Sequence, residues 1–488
     1  MRLPELLRDL DVLEWSGDPD VEIAALTHDS RRVEPGACFA CLAGSRSDGH
    51  EFASEAVERG AAALLVERLL AAPVSQARVA DVRRVLGPIS ARFFGDPSRV
   101  MRCLGVTGTN GKTTTVHLLA KIGRAAGLRV GVVGTLGTHV EDDVHPGTLT
   151  TPEATDLQAA LAAMRDEGAG LVAIEVSSHA LNRRRVDGTR FAAACFTNLS
   201  HDHLDEHGSM EEYFATKERL FTSPFTATTV TNLDDPFGAR LAEDAAAAGG
   251  SVCSYAIYHP QARVTPREVV YARESTRYEL VDSATGAHGE VRSPLVGELN
   301  LANQLAAAAT AISVGVPFSA VIEGLGTPLT VAGRLERIDE GQPFTVLVDY
   351  AHTPDALSQV LDAARLLGDR VLLVFGCGGD RDRAKRPMMG AVAGRGADVV
   401  VLTSDNPRSE DPETIAAEVA AGIPPGREHT LELDRRLAIR DAFAAAGPGD
   451  VVVIAGKGHE TGQTTGAITV PFDDRVVARE ELGSQPCG

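Results

Sequence analysis

The sequence predicts an α/β protein of three domains, and three observations predict it. A glycine-rich loop joins an apolar run to an amphipathic stretch at 101–127, two series of apolar runs each end in polar clusters, and the chain has 488 residues. That length exceeds a single core and suits roughly three domains of about 150 residues each. Near-continuous apolar runs separated by Ala-rich helical stretches indicate parallel sheets covered on both faces. Ligands in such sheets bind beyond the carboxyl ends of the strands, where the polar clusters fall.

Residues 1–98 read as a smaller α/β domain in which ALTHDSRRVEPGACFACLAG is strand, turn and strand, with a boundary in RFFGDPSRV. Residues 99–330 form a central parallel-sheet ATPase domain. Its strands CLGV, RVGVV, GLVAIEV, FAAACF and ATTV lead into TGTNGKTT, GTLGT, SSH, TNLSHDHLD and TNLDD. The polar, β-rich segment 262–296 reads as a hairpin excursion from that domain. A second boundary falls near 330, in TPLTVAGR after the Ala-rich helix LANQLAAAATAISVG. Residues 331–488 form a Rossmann-like C-terminal domain with strands FTVLV, RVLLVF, ADVVVL and DVVVIA, and GSQPCG reads as a disordered tail.

Composition narrows the function. A net charge of −20 argues against nucleic acid or an anionic membrane as partner, while leaving room for a local basic pocket. The seven cysteines, odd in number, read as reduced thiols. MRLPELLRDLDVLEW carries acids and lacks a signal-peptide core, and no long apolar run follows, so a cytoplasmic protein is expected. Of 47 basic residues only five are lysines: Lys112, Lys121, Lys217, Lys385 and Lys457. A lysine kept in so arginine-rich a chain does something a planar guanidinium cannot. Lys121 alone reads as solvated surface.

The loop GVTGTNGKTTT at 105–115 has the composition of a phosphate cradle. Backbone N–H groups of Gly108, Thr109, Asn110 and Gly111 would wrap a triphosphate, and the helix N-terminus adds positive dipole. Lys112 would reach the terminal phosphates, the Thr113 hydroxyl would ligate Mg²⁺, and Thr114 follows on the first helical turn. Glu175 at the end of GLVAIEV and His203 in NLSHDHLDEHG offer a carboxylate and an imidazole at the same sheet edge. Lys217 lies in GSMEEYFATKERLF, where Ser209 and Glu212 form a capping box. Met210, Tyr213, Phe214, Leu220 and Phe221 mark one helical face, and Lys217 shares it. Such a lysine snorkels to solvent, the reading periodicity favours, or is buried as a neutral amine able to form a carbamate ligand for Mg²⁺.

The motifs GTNGKTTT, LTTPEATD, EVSSHALNRRRVDG, TNLSHDHLDEHG, TKERLF, GELNLANQLAAA, AGRLERI, DYAHTPDAL, GCGGDRDRAKRP, TSDNPRSEDP and AGKGHE occur in that order. Together they resemble the Mur ligases along the whole chain, most of all the members that add the third peptide residue to the cell-wall precursor. The resemblance implies ATP on Lys112, Thr113 and the loop backbone, with Asn303, Arg334, Asp349 and His352 closing over it. It implies Mg²⁺ held by Thr113, Glu175, His203 and Lys217, with Lys217 carbamylated, against the snorkelling reading. Lys112, Glu175, His203 and Lys217 would then be the catalytic set. A UDP-muramoyl dipeptide would contact Ser30, Ser45, Arg46, Ser47, Thr150, Thr151, Ser177, Arg183 and Arg185. The incoming amino acid would meet Arg386, Asp405, Asn406, Pro407, Arg408, Gly456 and Glu460. The implied partners are these small molecules, acted on by a monomer.

Chemistry supports the last group on its own terms. An amino acid with amino and carboxyl groups at its far end needs a paired cation and anion, and Arg408 with Glu460 or Asp405 provides them. Diaminopimelate fits; lysine does not, and a missing carboxylate would leave the arginine fork unpaired. The same DNPR segment also suits a turn that starts a helix. Leu149, Arg183 and Gly462 depart from the commonest residues of the family. Rival readings are a sister ligase for another amino acid such as L-lysine or for a specialised pathway, a silent scaffold homologue that would have lost Lys217 or Glu175, and a bare phosphate-loop ATPase.

Overall fold

The computed structural model describes residues 1–44, 47–141, 143–223 and 225–483. Ser45 and Arg46, named above as substrate contacts, and residues 484–488 of the expected tail lie outside them. Three main sheets follow one another along the chain. In the first, four parallel strands run Ser75–Arg78, Ala63–Val66, Ala37–Ala40 and Ala25–Thr27, with Glu14–Ser16 antiparallel at one edge. Cys38 and Cys41 have a C-x-x-C spacing, yet they pack in two separate core clusters. Burial pushes each thiol up to about 12, so neither is a reactive redox group.

The central sheet has eleven strands. Its parallel core runs Ser251–Tyr255, Thr228–Asn232, Ala193–Phe196, Arg102–Thr107, Leu171–Glu175 and Val130–Gly134. The inner four, from Ala193–Phe196 to Val130–Gly134, are almost wholly buried because helices cover both faces, as their unbroken apolar runs require; Ser251–Tyr255 is only partly buried. The sheet is mixed rather than parallel throughout. Gly137–Val140 and Asp143–His145 add antiparallel strands at one edge. At the other, Val264–Ala272 pairs in parallel with Ser251–Tyr255 and then antiparallel with Ser275–Asp282, which pairs with Ala287–Ser293. Segment 262–296 is therefore a continuation of the sheet and not an excursion from it.

Helix Lys112–Ala125 leaves the carboxyl end of Arg102–Thr107, an inner strand, and packs on Glu298–Ser313 and Phe318–Gly326. In Glu298–Ser313, Ala306, Ala307, Ala308 and Ala309 are fully buried, and their small side chains let the helix lie close to the sheet. Its first turns carry Asn300 and Asn303 toward the phosphate loop. Helix Phe318–Gly326 stands between this helix and the TPLTVAGR turn, so the turn does not follow the Ala-rich helix directly. No helix among the described residues is long and apolar enough to cross a membrane.

The third sheet runs Glu336–Ile338, Thr345–Asp349, Val451–Ala455, Val371–Phe375, Val399–Leu402 and His429–Leu431, parallel except for its first strand. A separate hairpin, Gly462–Thr465 with Ile468–Pro471, follows it. Beneath the carboxyl ends of these strands lies a buried ion pair. Arg435 Nε and Nη2 each meet an Asp474 carboxylate oxygen at 2.7 Å, both side chains fully buried, and Nη2 also donates to the Ala455 carbonyl at 2.9 Å. The pair joins helices Arg435–Ala445 and Asp474–Gly483 to the strand end that presents Gly456.

Removing one partner of such a pair strands a charge in the core. Asp474→Ala is expected to destabilise the C-terminal domain by about 3–5 kcal/mol. Urea denaturation followed by a probe in that domain checks this, and a loss under about 1 kcal/mol, the range of surface pairs, would refute it.

Candidate active site

The phosphate loop keeps a shape that only glycine permits at two points. Gly108 has φ 149° and Gly111 φ 86°; a Cβ at Gly108 would lie 1.9 Å from Thr197 Oγ1, and one at Gly111 2.2 Å from Asn303 Oδ1. The neighbouring loop fixes the cradle, with the Thr109 amide donating to the Asn198 carbonyl and the Asn110 amide to Asn198 Oδ1, both at 2.9 Å. Helix Lys112–Ala125 has no side-chain cap, so its first amides are left for a ligand. Lys112 Nζ curls back to the carbonyls of Gly108 and Thr109 at 2.9 and 2.8 Å. Burial pushes its ammonium down to about 8, a shift that Glu175 resists.

The Thr113 hydroxyl donates to Glu175 Oε2 at 3.1 Å and accepts from Arg334 Nη2 at 3.3 Å. Glu175 is pinned further by the Thr135 amide at 2.9 Å and the Thr135 hydroxyl at 3.0 Å. A second group lies beside the loop. Lys217 is buried and donates from Nζ to the Gly108 carbonyl at 3.0 Å, with Nζ 4.5 Å from the Tyr213 ring centre. The snorkelling reading fails because Tyr213 and Phe214 seal the helix face. Burial, reinforced by Lys112, pushes the Lys217 ammonium well below its usual range. His203 lies 3.3 Å from Asp202, and burial pushes its imidazole down to about 3 although Asp202 opposes the shift. Its ring meets His179 edge-on, with centres 4.8 Å apart.

Among the described residues no three His, Cys, Asp or Glu side chains form a metal cage. Thr113 and Glu175 nevertheless supply two hard oxygen donors side by side. That suits Mg²⁺, which is held by one or two carboxylates together with substrate phosphates rather than by an all-protein cage.

The C-terminal sheet covers the loop. Asn303, Arg334, Asp349 and His352 line one small cavity of about 40 Å³ together with Gly111, Thr113 and Thr114. Asn303 Nδ2 and Arg334 Nε are buried donors without partners among the described residues, in keeping with a polar ligand between them. Arg334 also stacks on Tyr350, 4.7 Å from its ring centre. Three contacts clasp the sheets together: Asn110 Nδ2 to Asp355 Oδ2 at 3.0 Å, His201 Nε2 to Asp382 Oδ2 at 2.8 Å, and His352 Nε2 near Asp202 Oδ2 at 3.7 Å. Clefts of about 570 and 510 Å³ adjoin the small cavity, sharing Asn300 and Arg334, or Leu299 and Asn303, with it.

A larger cleft of about 1020 Å³ has Thr135, Leu149 and Thr150 on one wall and Asn406, Arg408, His459 and Glu460 on the other. Behind the first wall, Thr151 Oγ1 donates to the Glu175 carbonyl at 2.7 Å and accepts from the Ser177 amide at 3.2 Å. Arg185 is held by Glu153 at 2.9 Å, and Arg183 is half-buried nearby. On the second wall, Arg408 Nη1 donates to the Gly379 carbonyl at 2.6 Å, and Arg408 makes no ion pair among the described residues. Asp405 and Pro407 are buried, and the Gly456 amide donates to the Asp349 carbonyl at 3.1 Å.

Arg386 does not join this wall. It is fully buried, and its Nη atoms are taken by Glu410 at 2.8 and 3.0 Å, Glu418 at 2.7 Å and the Gly378 carbonyl at 3.2 Å. Two carboxylates thus neutralise the charge expected to meet the amino acid, leaving only Nε without a partner. In the first domain the Ser30 hydroxyl is engaged by Glu55 at 3.0 Å, and Ser47 is exposed. Lys121, expected on the surface, is half-buried in the large cleft. Sequence reasoning missed Thr135, Asp202, Tyr350, Asp355, Lys457 and His459. Asp202 and Lys457 lay inside motifs already singled out, the second as one of five lysines.

Comparison with known proteins agrees with this geometry. Residues 22–94 match the catalytic domain of the Mur ligase family, 106–311 the Mur ligase middle domain, and 333–458 the Mur ligase glutamate ligase domain. The chain is 44% identical, over 99% of both sequences, to the UDP-N-acetylmuramoyl-L-alanyl-D-glutamate–2,6-diaminopimelate ligase of Gloeobacter violaceus. It is 45% identical to the ligase of the same name from Alkalilimnicola ehrlichii, again over 99% of each. A solved structure of a ligase of that name aligns with TM-score 0.71 and 34% identity over 99% of both chains. The chain belongs to the Mur ligase family.

Gly111→Ala is expected to weaken binding of a fluorescent ATP analogue about tenfold or more, since relieving the roughly 1–2 kcal/mol of left-handed strain in an alanine reshapes the cradle. Wild-type affinity in a folded variant would show that the loop tolerates a side chain there.

Proposed function

We propose that the protein is an ATP-dependent ligase that joins diaminopimelate to UDP-N-acetylmuramoyl-L-alanyl-D-glutamate, acting as a monomer in the cytoplasm. The observation that carries this reading is the cleft of about 1020 Å³, which sets Thr150 opposite Arg408 and Glu460. Thr150 also touches Thr135 at 3.1 Å, and through it the Glu175 and Thr113 end of the phosphate loop. The side-chain carboxylate of the D-glutamate attacks the γ-phosphorus of ATP, giving an acyl phosphate and ADP. The diaminopimelate amine then displaces phosphate through a tetrahedral intermediate, losing a proton as the amide forms.

The loop amides and Lys112 bind and orient the phosphates, Arg334 and Asn303 offer unpaired donors above them, and the clasp between the sheets excludes water from the acyl phosphate. Thr113 and Glu175, with His203 and Lys217 as the further ligands the family resemblance implies, would hold Mg²⁺, which would supply positive charge to the transferring phosphoryl group. The depressed ammonium of Lys217 favours the neutral amine, which adds CO₂ and releases a proton to become a carbamate. Arg408 takes the distal carboxylate of diaminopimelate and Glu460 its ammonium.

Phosphate release is the direct test. The protein with ATP and the UDP-muramoyl dipeptide should turn over with diaminopimelate and far more slowly with L-lysine; equal rates, or preference for lysine, would overturn the reading. Arg408→Ala should cost at least roughly 2–5 kcal/mol in kcat/KM for diaminopimelate and much less for lysine, so that their ratio collapses. An undiminished ratio would place selection elsewhere. Lys217→Ala should reduce turnover by about 10³ or more while remaining folded, and wild-type activity lost in CO₂-depleted buffer should return with bicarbonate. Wild-type turnover by the variant would remove Lys217 from the mechanism.

A further inference from the structure

Lys457 stands apart from the four lysines and the arginines around it. Its side chain is wholly buried, and its ammonium makes three contacts: Glu460 Oε2 at 3.1 Å, Asn406 Oδ1 at 3.4 Å and the Gly462 carbonyl at 2.6 Å. A tetrahedral ammonium has three N–H donors, and all three are used here. A planar guanidinium could not radiate to three such acceptors in the same space, which accounts for a lysine at this position in an arginine-rich chain.

The consequence falls on the cleft wall. Glu460 Oε2 accepts from Lys457 and, at 2.8 Å, from Asn406 Nδ2, while Glu460 Oε1 has no partner among the described residues. Glu460 lines the large cleft, and Lys457 does not. Asn406 Oδ1 is also fixed by the Thr464 amide at 2.9 Å, and the Thr464 carbonyl accepts from the Arg408 amide at 3.0 Å. One buried ammonium therefore ties the anion of the wall to the loop that carries its cation.

We propose that Lys457 is a positioning residue for amino-acid selection: it holds one carboxylate oxygen of Glu460 and the amide of Asn406, so that the other oxygen of Glu460 is presented to the far-end ammonium of the amino acid at a set distance from Arg408. The proposal rests on the ligase reading above. It requires that Lys457 act through Glu460 and not on the nucleotide or the phosphoryl transfer.

The test is a double-mutant cycle in the full-length protein, read as KM for the amino acid, KM for ATP, and kcat. Lys457→Met is expected to raise the amino-acid KM about tenfold or more and to lower the preference for diaminopimelate over lysine, with the ATP KM unchanged. Because a lone apolar replacement leaves Glu460 and Asn406 short of a partner and the variant can fail to fold, Glu460→Met is compared with Lys457→Met/Glu460→Met, in which both charges are gone. Equal amino-acid KM in these two supports the proposal, since Lys457 then has no cleft-facing carboxylate left to position. A further tenfold loss in the double variant, or a raised ATP KM in any folded Lys457 variant, overturns it. The amino acid used is the best substrate of the wild-type protein in the phosphate-release panel. If that is not diaminopimelate, the ligase reading fails on its substrate, while the coupling between Lys457 and Glu460 is still decided by the same comparison.

Discussion

One hydroxyl connects the two halves of the nucleotide site. Thr113 Oγ1 donates to Glu175 at the end of a central strand and accepts from Arg334 at the entrance to the C-terminal sheet. The loop is thus closed from above by a residue 221 positions away in the chain. The cavity it closes is only about 40 Å³, far below the several hundred Å³ of a small-molecule site. A nucleotide there needs more room than this cavity gives, and the adjoining clefts or a shift of Arg334 and its sheet would supply it. The contacts that clasp the sheets, Asn110 with Asp355 and His201 with Asp382, are polar and partly exposed, and such contacts contribute little each. Opening therefore costs far less than unfolding either sheet, and closure can be coupled to binding.

Charge explains why the closed site favours an anion. Lys112 and Arg334 meet at the loop, both half-buried, while the buried amine of Lys217 beside them is pushed toward its neutral form. Burial, with Lys112 adding to it, pushes the Lys217 ammonium down, and burial, with Arg334 adding to it, lowers that of Lys112, while Glu175 and Asp202 oppose these shifts only in part. A polyphosphate supplies the missing negative charge and satisfies the unpartnered donors on Asn303 and Arg334 at the same time.

The features legible in the sequence were those set by local pattern. The buried parallel strands announce themselves as unbroken apolar runs, and the phosphate loop as a strand, glycines and a helix in succession. The outer strands of the central sheet were misread because Val264–Ala272 and Ala287–Ser293 are largely solvent-facing, so polarity hid that the first pairs in parallel with the neighbouring core strand Ser251–Tyr255 and carries the sheet outward. Lys217 shows the limit of periodicity: spacing put it on the apolar face, but only packing against Tyr213 distinguishes burial from snorkelling. The scarcity of lysine marked Lys457 and motifs enclosed Asp202 and Asp355, but the partners of all three depend on which loops meet in the fold, so their roles could not be assigned.

Arg386 and Arg408 carry the same charge and were both expected to meet the amino acid, yet the structure gives them opposite characters. Arg386 is enclosed by Glu410 and Glu418, so its guanidinium holds the segment after Val371–Phe375 against helix Pro412–Ala420. Arg408 sits at φ 52°, a left-handed conformation that costs a non-glycine residue about 1 kcal/mol or more and persists only where its surroundings impose it. They do so here: the Arg408 amide donates to the Thr464 carbonyl, and the Arg408 carbonyl accepts from Gly466 at 2.6 Å, binding the turn to the 462–471 hairpin. The strain turns a guanidinium without a carboxylate partner onto the cleft wall that also bears Glu460. On the proposed reading, selection of the amino acid depends on a hairpin-locked turn whose own geometry is unfavourable in isolation, so the residues that fix that turn would matter as much as those that face the cleft.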